Sequence, residues 1–259
     1  VTELTGIKGV LIDLGGVVYS GDTPIAGAAE ALARLNEAGL PYRFLTNTTS
    51  QPISGILAKL NKLGIEAERG DLFTPSLAAR SYLETHDLAP HFLVAPALME
   101  DFEGIAPGGS EAVVIGDARD GFTYDSLTDA FRRILDGAAF VALASNRSYV
   151  GSDGRPCLDV GAFVAALQYA TRTDPVVLGK PSADFFHLAA ADMELEPAEV
   201  VMIGDDYEFD ALAAIEAGLS AIYVRSGKAP PEETDAGGAS PTAIRDDLAA
   251  AVEHILTGK

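Results

Sequence analysis

The chain alternates short apolar runs with helix-spaced apolar positions, and the runs end in polar clusters. The first run, Val10-Leu11-Ile12-Asp13-Leu14-Gly15-Gly16, is nearly continuous in its apolar part. A strand covered on both faces reads this way, which predicts a buried parallel strand over residues 8–14 with Asp13 at its carboxyl end. Ala28, Ala31, Leu32 and Leu35 then recur at helical spacing, led in by Pro24 to Gly27 and stopped by Gly39. Tyr42 to Thr46 predicts a second strand ending in Thr46-Asn47-Thr48-Thr49-Ser50. Ile53, Ile56, Leu57, Leu60 and Leu63 predict the next helix, ended by Gly64. This βαβα order implies a parallel sheet covered by helices.

The rhythm changes after Asp71. A helix is expected from Phe73-Thr74-Pro75 to about His86, then strands at His91–Ala95 and Ala112–Ile115. A helix over Tyr124–Leu135 turns Phe131 and Ile134 inward, and a strand follows at Phe140–Ala144. Tyr149 to Gly154 reads as a strand entering a tight hairpin, and a helix from Gly161 to about Thr171 closes the segment. Val176 to Pro181 returns to the first pattern. Ser182 is placed to cap the helix that holds Phe185, Phe186 and Leu188. Val200 to Asp206 is a further strand ending in acid, followed by a helix through Ala211, Leu212 and Ile215 that stops at Gly218. Ala221–Arg225 is the last expected strand, Ser226–Ser240 a surface loop, and Ala243–Leu256 a terminal helix. The fold class expected is α/β: a doubly wound, Rossmann-like parallel-sheet core over residues 1–76 and 177–259, with an inserted α/β domain over 77–176.

A length of 259 residues and 48 % apolar composition suit two packed cores. The net charge of −20 argues against nucleic acid or an anionic membrane as partner. It leaves room for an anionic substrate at a site that uses a cation. Cys157 is the one cysteine, so no disulfide framework exists, and it sits in a turn-rich stretch without an obvious His partner. No stretch reads as a signal peptide or membrane span, and a cytoplasmic location is the expectation.

Four polar stations fall at the carboxyl ends of expected strands: Asp13, Thr46, Lys180, and Asp205 with Asp206. Such ends converge on one crevice in a doubly wound sheet. Asp13 and Asp205 suit a shared hard cation such as Mg²⁺. Thr46 offers a hydroxyl to a phosphate oxygen, and Lys180 offers a point charge. Asp13 is also placed to attack phosphorus. The two glycines, Gly15 and Gly16, permit backbone N–H groups to turn toward an anion. Each station has a structural reading too. A strand-end Thr is commonly a turn residue, a Lys before Pro is commonly solvated, and an acid after a strand is commonly a helix cap.

Taken together, and with Phe44-Leu45-Thr46-Asn47-Thr48-Thr49, Leu158-Asp159-Val160-Gly161, Ala166-Leu167-Gln168-Tyr169-Ala170, Val177-Leu178-Gly179-Lys180-Pro181 and Met202-Ile203-Gly204-Asp205-Asp206, the chain resembles the haloacid dehalogenase superfamily of phosphotransferases. The insert resembles the larger α/β cap of its nitrophenylphosphatase-like subgroup. The resemblance implies that Asp13 is the nucleophile and a Mg²⁺ ligand, with the Gly15 carbonyl and Asp205 as further ligands. It implies that Gly16, Thr46, Asn47 and Lys180 hold the phosphoryl group, while Asp206 and Asp210 support the metal or Lys180. Asn146 and Arg147 fall where the subgroup's cap presents a substrate-facing loop. A small phosphorylated substrate is implied as partner, and cap-mediated homodimers are common in the subgroup. No role is assigned to His86, His91, His187 or His254.

One position departs from the family pattern. Most phosphatases of the superfamily carry a second Asp two residues after the nucleophile, where this chain has Gly15. The metal role uses only a carbonyl and survives. The acid–base role does not, and it is commonly worth about 10²–10⁴-fold. The expectation is therefore a phosphatase favouring good leaving groups: pyrophosphate, P–N phosphoramidates, acyl or aryl phosphates. The reading of a different class is a phosphoryl-ligand or protein-binding module with a degraded site. A phosphotransferase using an acceptor other than water is a third.

Overall fold

The computed structural model describes residues 4, 6–151, 154–228 and 240–258. The chain forms two compact units, Val1–Thr46, Ile56–Phe73 and Lys180–Lys259 making one, Asn47–Gly55 and Thr74–Gly179 the other.

The first unit is built on a six-stranded sheet. Its order is Ala243–Arg245, Ser220–Val224, Val200–Gly204, Gly9–Ile12, Tyr42–Leu45, Leu72–Phe73, and every pairing is parallel. The chain thus runs outward from Gly9–Ile12 in one direction and later resumes at Val200–Gly204 on its other side. That reversal is the switch point at which doubly wound sheets bind ligands. Gly9–Ile12 and Val200–Gly204 are buried along their whole length, as expected for strands covered on both faces. Ala28, Ala31, Leu32 and Leu35 are the buried positions of helix Ala28–Glu37, in agreement with their spacing. Removing that much apolar surface from water is worth about 1.5–3 kcal/mol for each large side chain.

The second unit carries a four-stranded parallel sheet, ordered Val176–Val177, Ala139–Ala142, Ser110–Ile115, Leu88–Leu93. Helices Tyr124–Leu135 and Val160–Thr171 supply Ile134, Val164 and Leu167 to a core with Val113, Ile115 and Phe140, and Phe131 packs partly buried against it. Ser148–Val150 and Pro156–Leu158 form an antiparallel hairpin. Its expected turn includes residues 152 and 153, which lie outside the described residues.

Four local expectations are corrected. Val176–Val177 does not rejoin the first sheet; it pairs with Val141–Ala142 in the second unit. The strand expected at His91–Ala95 runs from Leu88 to Leu93, through Pro90. Proline lacks an N–H, but an edge strand tolerates it. Ala243–Arg245 is a strand paired with Ile222–Val224, and the terminal helix is Leu248–Thr257, where Asp247 accepts the Ala250 N–H at 2.8 Å. Ser182 occupies the cap position of helix Ala183–Asp192, yet its side chain makes no cap bond; its carbonyl accepts the Phe185 N–H at 3.1 Å. Residues 229–239 of the expected surface loop lie outside the described residues. Among the described residues, no helix is long and apolar enough to cross a membrane.

Candidate active site

Asp13 stands one residue beyond the strand Gly9–Ile12, and its N–H donates to the Ile203 carbonyl at 2.9 Å. Ile12 pairs with Ile203 on one side and Phe44 on the other. Asp13 is therefore the next rung, with Asp205 just past Gly204 on one neighbouring strand and Thr46 just past Leu45 on the other. Parallel register alone brings these polar positions to one end of the sheet.

Lys180 donates from Nζ to Asp13 Oδ1 and to Asp210 Oδ1, each at 2.6 Å. Lys180 is 3 % exposed and Asp210 1 %, so the ion triad is nearly dry. Burial disfavours the charged lysine, but Asp13 and Asp210 outweigh it and hold the ammonium above the ordinary lysine range. Burial pushes Asp13 up, with Asp205 adding to the rise against the pull of Lys180. It also pushes Asp210 up, to about 6. Asp205 is likewise raised, chiefly by burial. Burial is the leading cause for all three acids, and a neighbouring carboxylate adds to the rise of each.

Carboxylate oxygens of Asp13, Asp205 and Asp210 lie within 4.8 Å of one another. Oxygen donors at this spacing fit a hard divalent cation such as Mg²⁺. Asp210 is engaged at both oxygens: Oδ1 accepts from Lys180 and Oδ2 accepts the Asp206 N–H at 3.1 Å. Asp13 and Asp205 retain acceptor capacity, because a carboxylate offers about four lone-pair positions.

Asp205 is seated by its surroundings. Its Oδ2 accepts the Lys228 N–H at 2.8 Å. A Cβ added at either Gly16 or Gly227 would overlap its carboxylate, and one added at Gly204 would overlap Asp210. Gly16 also adopts φ +79°, where side chains are disfavoured. The Ser226 hydroxyl donates to the Gly16 carbonyl at 2.7 Å, tying the two loops together. Asp206 serves the next turn instead, accepting the Glu208 and Phe209 N–H groups at 3.1 and 2.9 Å through Oδ1. Its Oδ2 meets Lys228 Nζ at 2.5 Å, and Lys228 outweighs burial to hold the acid low. The turn so capped, Tyr207–Leu212, is π-helical, and it carries Asp210 back to Lys180.

The two glycines after Asp13 differ. The N–H of Gly16 does not face outward to an anion as expected; it donates to the Tyr19 carbonyl at 2.7 Å, closing the short turn. Gly15 is exposed, and nothing lies within 4 Å of a Cβ built on it. Tyr19, in the hairpin Tyr19–Ser20 with Thr23–Pro24, carries Lys59 Nζ 4.0 Å over its ring. Burial and the Asp13 charge push its phenol up to about 12.

Asp13, Lys180, Asp205 and Asp210 are thus brought together in the first unit, with Thr46 buried at the end of its strand. Asn47, Asn146 and Arg147 belong to the second unit. There the Asn47 side chain donates to Asn146 at 2.9 Å, while Arg147 is exposed. Sequence reasoning missed Ser226, Gly227 and Lys228. They follow the strand Ser220–Val224, so the strand-end rule that singled out Asp13 would have found them too.

A haloacid dehalogenase-like hydrolase model matches residues 10–106, and a HAD-hydrolase-like model matches residues 177–251. The chain is 38 % identical to the phospholysine phosphohistidine inorganic pyrophosphate phosphatase of Danio rerio, across 99 % of this chain and 97 % of that one. It is 40 % identical to haloacid dehalogenase-like hydrolase domain-containing protein 2 of Bos taurus, across 96 % of each. Among solved structures, 4-nitrophenylphosphatase from Thermotoga maritima shares the fold at a TM-score of 0.87 and 22 % identity, covering 97 % of this chain and 98 % of that one. NagD from E. coli K-12 matches at a TM-score of 0.85 and 26 % identity, covering 95 % and 98 %.

Proposed function

The chain belongs to the haloacid dehalogenase-like hydrolase family and is a phosphatase, and we propose that it works through an aspartyl-phosphate on Asp13 with Mg²⁺ as cofactor. The observation that carries this reading is the buried Lys180 ammonium, 2.6 Å from both Asp13 and Asp210 and beside Asp205. Carboxylate oxygens gathered within 4.8 Å of one another beside a single buried ammonium suit a hard divalent cation.

Asp13, the Gly15 carbonyl and Asp205 would hold the Mg²⁺. Bound there, the ion supplies positive charge that offsets the carboxylates and the phosphoryl oxygens. Asp13 attacks phosphorus; the new O–P bond forms as the bond to the leaving group breaks in line. Lys180, with Thr46 and Asn47, binds the phosphoryl oxygens and offsets the charge that spreads over them. Asp210 keeps Lys180 charged and aimed. Asp206 holds the turn that delivers Asp210. Water then attacks phosphorus, phosphate departs, and the Asp13 carboxylate is restored.

Gly15 carries no group to protonate the departing atom. Substrates whose leaving group is stable as an anion, or already protonated, are therefore favoured: pyrophosphate, P–N phosphoramidates, acyl or aryl phosphates. The names of the relatives support the same range, since one is called a phospholysine, phosphohistidine and pyrophosphate phosphatase. A phosphate-release assay with Mg²⁺ on pyrophosphate, a phosphoramidate and a sugar phosphate tests this reading. Turnover should be fastest on the first two and vanish in Asp13→Asn. Faster turnover of the sugar phosphate would defeat the leaving-group argument.

A further inference from the structure

Asn47 follows Thr46 directly, and its carboxamide is fastened. Its Nδ2 donates to Asn146 Oδ1 at 2.9 Å, across 99 residues of sequence. On its other side lies Gly179, where an added Cβ would stand 3.0 Å from Asn47 Oδ1. Two residues on, the buried Thr49 hydroxyl accepts the Asp117 N–H at 3.1 Å. Asn146 is itself anchored. Its carbonyl accepts the Gly161 N–H at 3.0 Å in the first turn of helix Val160–Thr171. A side chain on Gly161 would overlap the Ser145 and Asn146 carbonyls, so the backbones meet there without clearance. The Asp159 carboxylate accepts the Val160 N–H at 2.7 Å and completes that helix start.

The torsion that turns an Asn carboxamide is broad and weakly preferred. An acceptor carried on a backbone held in place favours one orientation of the donor, and because the nitrogen carries two donors, the direction of the second is set as well. We infer that Asn146 is a positioning residue that aims the Asn47 carboxamide, and that it acts on phosphoryl binding only through Asn47. The inference rests on the proposed role of Asn47 in holding the phosphoryl group. Arg147, exposed beside Asn146, has no part in it.

Such a residue affects every substrate alike, whereas one that meets the leaving group changes their ratio. The experiment compares wild type, Asn146→Ala, Asn47→Ala and the double variant. It records kcat/KM on 4-nitrophenyl phosphate and on pyrophosphate, calorimetric affinity for inorganic phosphate, and the Asn47 side-chain amide resonances. Asn146→Ala should weaken phosphate about tenfold, lower both kcat/KM values by the same factor and shift the Asn47 amide pair. In the Asn47→Ala background the same change should cost less than about twofold. Asn146→Ser, too short to keep the acceptor in reach, carries the comparison if the alanine variant fails to fold. An altered ratio between the two substrates, or an equal loss with and without Asn47, overturns the inference. If Asn47→Ala weakens phosphate and Asn146→Ala does not, the inference fails while the phosphatase reading stands. Wild type that neither binds phosphate nor turns over either substrate overturns both.

Discussion

Gly16 and Asp205 share one volume: the Asp205 carboxylate fills the space a Cβ on Gly16 would need. The same Cβ would stand 3.0 Å from the Gly227 backbone, so it is crowded on that side too. Gly16→Ala should displace Asp205 and lower Mg²⁺ affinity about tenfold or more, with kcat/KM falling in parallel. Calorimetric titration of Mg²⁺ checks this. Unchanged affinity would mean that Asp205 does not hold the ion.

Gly15 is the contrasting neighbour. Its Cβ direction is open and its position exposed, so a larger residue fits without strain. Gly15→Asp should raise turnover of a sugar phosphate relative to pyrophosphate, by up to about 10²-fold if the new carboxyl reaches the leaving group. Assays of both substrates at matched Mg²⁺ decide it. No gain, with Mg²⁺ affinity preserved, would show that another group already performs the acid–base work.

Removing the cation of the buried triad tests its energetics. In Lys180→Met the Asp13 and Asp210 carboxylates lose the ammonium that each meets at 2.6 Å. Breaking a buried pair from one side typically costs about 3–5 kcal/mol. Urea unfolding of the metal-free protein should show a loss of that order, and phosphate release should disappear. A variant as stable as wild type would mean that the acids had simply taken up protons.

The terminal helix offers a test remote from the chemistry. Asp247 accepts the Ala250 N–H at 2.8 Å and caps Leu248–Thr257. Asp247→Ala should cost about 1 kcal/mol in chemical denaturation and leave kcat unchanged. A change in kcat with no loss of stability would contradict a purely structural cap.

Local pattern made much of this protein legible. The buried face of helix Ala28–Glu37, the helix Tyr124–Leu135 and the acids after the strands Gly9–Ile12 and Val200–Gly204 follow from 3.6-residue spacing and continuous apolar runs, which act over a few residues and need no partner. Gly15 was legible for the same reason: a missing side chain is a property of one position. Strand pairing was another matter. Val176–Val177 and Ala243–Arg245 are too short to declare their partners, and only the backbone ladders of Ala139–Ala142 and Ser220–Val224 decide where they lie. The same holds for the site's finer structure. That Gly16 gives way to Asp205, that Lys228 seats Asp205 from beyond the following strand, and that Asn146 holds Asn47 are contacts between residues far apart in the sequence. Sequence alone determined the family, the phosphatase class and which polar residues follow the core strands. The tertiary structure decided which donor each acid and amide meets, because hydrogen bonds form over about 3 Å and chain separation along the sequence sets no limit on them.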